Sequence, residues 1–180
     1  MKILLHICCG PCAIFPVLDL RAQGHDVTGF FCNPNIHPYQ EYLLRRESTE
    51  EMSRQMDLPL LLEESYFPEA YFREVAFREE ERCRFCYFLR LRETAALAKE
   101  KGFDGFTTTL LVSPWQNLEL IHQVGEQVCR ELGVSFLFYD WRSGYREGRR
   151  RAREMGLYSQ KYCGCLFSER ERFQKVKKNG

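Results

Sequence analysis

Six of the nine cysteines in this 180-residue chain fall into three tight groups: Cys8-Cys9, Cys83-x-x-Cys86 and Cys163-Gly-Cys165. Thiolates are soft metal ligands, and two of them closing to a disulfide release two electrons. Cys83 and Cys86 stand three apart in a helical pattern and so share one face, which makes them half of a four-sulfur site. Cys8 and Cys9, at the end of an apolar run, are the obvious other half. Four cysteines suit tetrahedral zinc or an iron–sulfur cluster. Zinc ligands commonly come as two spaced knuckles, so the adjacent pair tilts the spacing towards iron–sulfur. Arg82 and Arg84 beside Cys83 favour thiolate over thiol. In Cys163-Gly-Cys165, Gly164 lets the backbone bend so that both sulfurs can reach one partner or each other. A disulfide across one residue would be strained and easily reduced again, which describes a catalytic pair better than a staple. The other readings are a second metal on that pair, with Cys12 as a further ligand, and two unrelated buried thiols. Cys32 ends an apolar strand and Cys129 lies in a helical pattern; both read as small buried hydrophobes.

Composition narrows the setting. Hydrophobic residues at 44% and charged residues at 28% fit a soluble globular protein. No apolar run approaches the roughly 18 residues of a membrane span, and the N-terminus has no signal-peptide pattern, so the chain is expected in the cytoplasm. That compartment is reducing, which argues against a structural disulfide framework. The net charge of +1 hides an asymmetry: residues 141–180 hold 12 Lys and Arg against 4 Asp and Glu, and the remainder 14 against 21. Such a cationic end suits a phosphate backbone, with Arg142, Arg146, Arg149, Arg150, Arg151 and Arg153 the strongest contact candidates. A solvated basic face explains the same charges equally well.

Strand and helix alternate around these groups. Lys2 to Ile7 reads as a doubly buried strand, Pro11 as a helix start before Ile14 to Arg21, and Val27 to Cys32 as a second strand, together a β-α-β unit. Pro38 opens a helix to about Met56, and Leu60 to Leu62 is a short strand. Helices are expected from Pro68 to Phe77 and from Glu79 to Lys101, the latter ending at Gly102, then a strand from Asp104 to Thr108. Ser113-Pro114 reads as the cap of a helix to Leu132, with a last strand over Val134 to Tyr139. A helix from Tyr145 to Met155, the Tyr162-Cys-Gly-Cys165 loop and a polar terminal helix follow. The pattern predicts a single α/β domain over 1–180, a three-layer sandwich with a mainly parallel sheet. Its basic end, 141–180, carries the Cys-Gly-Cys motif. In such sheets ligands sit beyond the carboxyl ends of strands, which is where Cys8 to Cys12 and Thr107 to Thr109 fall.

Four motifs together, His6-x-Cys-Cys-Gly-Pro-Cys12, Arg82-Cys-x-x-Cys-Tyr-x-x-Arg90-Leu, Thr107-Thr-Thr-Leu-x-x-Ser113-Pro and Tyr162-Cys-Gly-Cys165, resemble the epoxyqueuosine reductase QueH family across nearly the whole chain. The resemblance implies a fold like that of the adenine-nucleotide α-hydrolase-like (HUP) sandwiches. It implies an oxidoreductase that deoxygenates epoxyqueuosine in a tRNA anticodon to queuosine, the last step of queuosine biosynthesis, without cobalamin. It further implies a [4Fe–4S] cluster on Cys8, Cys9, Cys83 and Cys86. Cys163 and Cys165 are then a redox-active pair, or ligands of an additional mononuclear iron or of zinc in its place, with Cys12 a weaker candidate. The partners would be that tRNA and an unidentified electron donor, with no membrane. Two departures are visible. Gly10 stands where alanine is commoner in the family, and Trp115-Gln116 stands near where a basic residue is expected. Tyr162 and Asp140 are proton-source candidates by position; His6, His25, His37 and His122 lack ligand spacing. The competing readings are an ATP-using tRNA-thiolating enzyme, opposed by the missing serine-glycine phosphate loop, and a zinc-stabilised RNA-binding module.

Overall fold

The computed structural model describes residues 1–174. Five strands, β1 (Lys2–His6), β2 (Asp26–Phe31), β3 (Leu60–Leu62), β4 (Gly105–Thr108) and β5 (Ser135–Phe136), form one sheet in the order β3-β2-β1-β4-β5. Every neighbouring pair is parallel. The helices are α1 (Gly10–Ala22), α2 (Tyr39–Gln55), α3 (Pro68–Val75), α4 (Arg82–Glu100), α5 (Leu118–Leu132), α6 (Tyr145–Glu154) and α7 (Leu166–Phe173). Helix α1 packs against α2 and α6, and α4 against α5. Ile3, Leu4 and Leu5 of β1 have no exposed surface. That is the signature of a parallel strand covered on both faces, and it explains the unbroken apolar run.

Two expected elements differ. The helix read from Ser113 is instead a buried 3-10 turn over Thr109–Val112, a bend through Ser113 to Gln116, and α5 from Leu118. The cap is Asn117, whose side chain accepts from the Leu120 amide at 3.0 Å, one of the amides an isolated helix start leaves unpaired. The last strand shrinks to Ser135–Phe136, beyond which Leu137 keeps a single bond to Phe106 O at 2.8 Å. Among the described residues no helix is long and apolar enough to cross a membrane.

The topology fixes where a site can form. From β1 the chain runs to β2 and β3 on one side, then returns to β4 on the other. The crevice between the carboxyl ends of β1 and β4 is therefore the switch point at which α/β sheets bind ligands.

Candidate metal centre

Cys8 and Cys9 occupy the turn between β1 and α1, and Cys12 comes up from the first turn of that helix. All three are buried, and their sulfurs lie within 4.8 Å of one another, the one such group among the described residues. Cys9 is the N-cap of α1, where unpaired amides and the helix dipole favour negative charge. A methyl group on Gly10 would approach Ser48 O of α2 to 2.4 Å, so the departure from alanine there fits the turn tightly against α2. The Cys8 amide donates to Thr109 Oγ1 at 3.0 Å, and that hydroxyl reaches back to Cys8 Sγ at 3.3 Å. Hydrogen bonds from Cys12 and Cys9 draw the Cys8 thiol well below its ordinary pKa. Burial pushes Cys9 up to about 12, and the bonds to Cys8 raise Cys12 as well. Cys8 is thus the most acidic of three buried soft donors, a set suited to a metal.

Cys83 and Cys86 stand on the first turns of α4, as the spacing requires. The charges of Cys83, Cys163 and Cys165 all bear on Cys86, so the predicted second pair and the Cys-Gly-Cys loop face one another. Burial raises Cys83 overall, outweighing Arg82, which lowers it in the expected direction. Burial pushes Cys86 up to about 12. Arg82 turns to Glu171 and Arg84 to Gln127 at 3.2 Å. Tyr71, buried with an unpartnered hydroxyl, is close enough to Cys165, Cys86 and Cys83 to feel their charge.

The Cys-Gly-Cys loop is held by a residue that the sequence reading passed over. Arg45, 1% exposed on α2, donates to Glu41 Oε1 at 2.8 Å, to Cys163 O at 2.7 Å and to Tyr162 O at 2.9 Å. The His37 amide donates to Gly164 O at 2.7 Å, and Gly164 adopts φ +150°, outside the range of most L-residues. Tyr162, a proton-source candidate, donates its hydroxyl to His37 O; Asp140, the other, is paired with Arg142. Neither carries an uncommitted proton towards the thiols.

Arg90 is the second buried guanidinium, also 1% exposed. Its Nε donates to Asn35 Oδ1 at 2.7 Å, and Asn35 Nδ2 donates to Cys86 Sγ at 2.8 Å. Its Nη2 has no partner, and no carboxylate pairs with it among the described residues. Cys86, Cys8, Cys163 and Cys165 are the groups whose thiolate forms would act on it. A buried cation needs a counter-charge, and an assembly of thiolates is the one within reach. Four sulfurs also have an amide or hydroxyl donor: Thr109 to Cys8, Asn35 to Cys86, Gln116 to Cys163 at 3.2 Å and Gln160 to Cys12 at 3.6 Å. Such donors orient and tune metal-bound sulfur. The residue types, burial and cationic surroundings fit a metal or an iron–sulfur cluster.

A cavity of about 480 Å³ opens over this corner, with Cys8 and Cys12 in its floor and Cys163 in its wall. Arg149, Lys161 and Arg172 line it, and Trp115 and Gln116 sit on one side. Its size is that of a small-molecule site. Thr107 to Thr109, at the carboxyl end of β4 where ligands sit, are buried. Thr108 Oγ1 bonds His6 Nδ1 at 2.9 Å, and Thr109 is committed to Cys8. The arginine surface is partly self-neutralised: Arg142 pairs with Asp140, Arg150 with Glu154 and Arg151 with Glu147. Lys175, Lys177 and Lys178 of the basic end lie outside the described residues.

Comparison with known proteins gives one consistent family. The family model described as epoxyqueuosine reductase QueH matches residues 3–171. A protein named epoxyqueuosine reductase QueH from Dehalococcoides mccartyi is 38% identical over 174 residues, covering 97% of this chain and 96% of that one. One of the same name from Thermotoga maritima is 36% identical, covering 96% and 93%. Among solved structures, a predicted subunit of tRNA methyltransferase from Methanocaldococcus jannaschii matches with a TM-score of 0.55 at 13% identity, over 86% of this chain and 75% of that one. At that identity the likeness concerns the sandwich fold alone.

Proposed function

The chain belongs to the epoxyqueuosine reductase QueH family, and we propose that it reduces epoxyqueuosine in tRNA to queuosine with an iron–sulfur cluster held beneath the cavity. The observation that carries this reading is the buried Cys8, Cys9 and Cys12 trio, of which Cys8 and Cys12 line the same cavity as Cys163 and Cys8 lies within electrostatic reach of the unpaired Arg90. Cys8, Cys9, Cys83 and Cys86 hold a [4Fe–4S] cluster, which when bound supplies electrons one at a time. Arg90 provides the counter-charge, and Asn35 and Thr109 donate hydrogen bonds to its sulfur ligands.

Removing an epoxide oxygen as water, leaving an alkene, takes two electrons and two protons. Cys163 and Cys165 closing to a disulfide release both pairs at once, and an electron donor then returns the disulfide to two thiols. Arg45 and Gly164 keep that pair at the cavity wall, and Gln116 sets the direction of Cys163 Sγ. A second use of the pair, as ligands with Cys12 of an additional mononuclear iron or zinc, is favoured by Cys12 and Cys163 lining one cavity. The basic stretch from 141 belongs to the same single domain and meets the tRNA backbone. A reducing compartment, the cytoplasm, keeps the pair active.

Anaerobic purification with iron and sulfide analysis tests the cluster: brown protein with both elements is expected, and colourless zinc protein refutes it. Cys163→Ser and Cys165→Ser should abolish turnover while keeping the visible absorption. Full turnover in either would remove the pair from the reaction.

A further inference from the structure

Trp115 is 83% exposed and yet lines the cavity that holds Cys8, Cys12 and Cys163. An indole left in water at a cavity rim is costly, and its backbone is fixed in a turn. Its amide donates to Ser113 Oγ at 3.3 Å, and the Gln116 amide donates to Ser113 O at 3.3 Å. The Gln116 side chain accepts from Tyr87 OH at 2.8 Å and donates to Cys163 Sγ at 3.2 Å. The tryptophan therefore stands on a turn tied to the exposed Cys163 thiol at the cavity wall. Arg149, Lys161 and Arg172 line the same cavity, and none of them is in an ion pair among the described residues.

We propose that Trp115 stacks on a nucleobase of the RNA at the cavity mouth, beside the nucleotide that enters. The assignment rests on the proposed tRNA substrate. About 480 Å³ admits one splayed nucleotide but not a loop, so its neighbours stay outside, where the indole is. Drawing a base out of its stack leaves the adjacent base without a partner on one face, and a rigid aromatic ring replaces it. Cations around an aromatic platform are what single-stranded nucleic acid requires, the rings taking bases and the cations the backbone.

The protein offers its own reporter. Its other tryptophan, Trp141, is 3% exposed, bonded to Asp19 at 2.8 Å and stacked on Tyr139. Change in tryptophan fluorescence on RNA binding thus comes from Trp115. The cluster-loaded enzyme is titrated with tRNA carrying epoxyqueuosine, reading fluorescence and an independent binding measurement such as gel retardation. Saturable quenching is expected in the wild type. In W115F the quenching disappears while affinity stays within a few-fold, because phenyl also stacks. In W115A affinity falls by about 10- to 100-fold with the melting temperature unchanged, since an exposed side chain contributes little to folding. W115A binding as tightly as the wild type overturns the assignment and leaves the reductase reading standing. Trp115 fluorescence that depends on protein concentration without RNA also overturns it, marking a surface for a second copy. A wild type that does not bind this tRNA overturns the proposed function, and the stacking role with it.

Discussion

Arg45→Met tests whether the Cys-Gly-Cys loop is held by one buried cation. The substitution keeps the length of the aliphatic stem and removes three hydrogen bonds: one to Glu41 and two to the carbonyls of Tyr162 and Cys163. Glu41, itself nearly buried, keeps only the Tyr158 hydroxyl as donor, at 2.6 Å. Breaking a buried ion pair by deleting one partner costs about 3–5 kcal/mol, because the other charge is left uncompensated. Against a typical domain stability of about 5–15 kcal/mol, that is roughly a fifth or more of the total. Neutralising the orphan should recover part of it. Arg45→Met with Glu41→Gln is expected to be more stable than Arg45→Met alone, by about 1–3 kcal/mol. Urea unfolding of the cluster-loaded protein measures both, and hydrogen exchange at the His37 amide, which donates to Gly164 O, reports the loop locally. Arg45→Met within about 0.5 kcal/mol of the wild type would refute the anchor role, that being the scatter of ordinary surface substitutions. A double variant no better than the single would refute the charge argument.

Further outcomes follow from the same geometry. Cys12→Ser should keep iron and sulfide near wild-type amounts, whereas Cys83→Ser or Cys86→Ser should lose the cluster; the reverse pattern would move the ligand set to the Cys8, Cys9 and Cys12 trio. Arg90→Met should shift the cluster potential to more negative values in a spectroscopic redox titration, since a positive charge that favours the reduced state is gone; an unchanged potential refutes the compensation. Burial, seconded by Arg90, holds His6 and His37 at about 4, so each is neutral when folded and protonates in the unfolded chain near 6.5. The unfolded state therefore binds more protons between those values, and stability falls as pH drops from about 6.5 to 4, by up to about 3 kcal/mol per histidine. Urea midpoints that stay flat from pH 6.5 to 4.5 would contradict this. Gly164→Ala, forced to φ +150° with its methyl 3.3 Å from Arg45 Nη1, should lower the thermal midpoint and speed alkylation of Cys163.

The sheet was legible because its evidence is local. A doubly buried parallel strand writes itself as an apolar run: β1 and β4 lie within the expected stretches, and β2 is shifted by one residue, starting at Asp26. Ser113-Pro114 misled because serine before proline is as good a turn as a helix start. The choice was made by Asn117, whose capping bond and Tyr87 contact come from packing on α4. Ser135–Phe136 is short because β5 lies at the sheet edge with one neighbour, a fact about order rather than composition.

The site divides along the same line. Cysteine spacing singled out Cys8, Cys9, Cys83, Cys86, Cys163 and Cys165 but ranked Cys12 below them, although it completes the buried trio; Cys83 and Cys86 fall on one helix, as the spacing predicts. What spacing could not deliver was charge. Arg45 and Arg90 look, in sequence, like any arginine on a helix, and such residues are almost never fully buried unless paired. Their burial follows from two helices converging on one strand end, which only the assembled sheet provides. The available signal was periodicity: Arg90 falls four residues after Cys86 and Arg45 four after Glu41, so each shares a face with a group it serves. The same convergence explains Cys12. One turn into α1 its sulfur returns over Cys8 and Cys9, so helix geometry, not ligand type, brings a fifth thiol into the corner. A corner with more sulfur than four ligands require, and with a cation no carboxylate meets, can hold one anionic assembly while leaving a thiol facing the cavity.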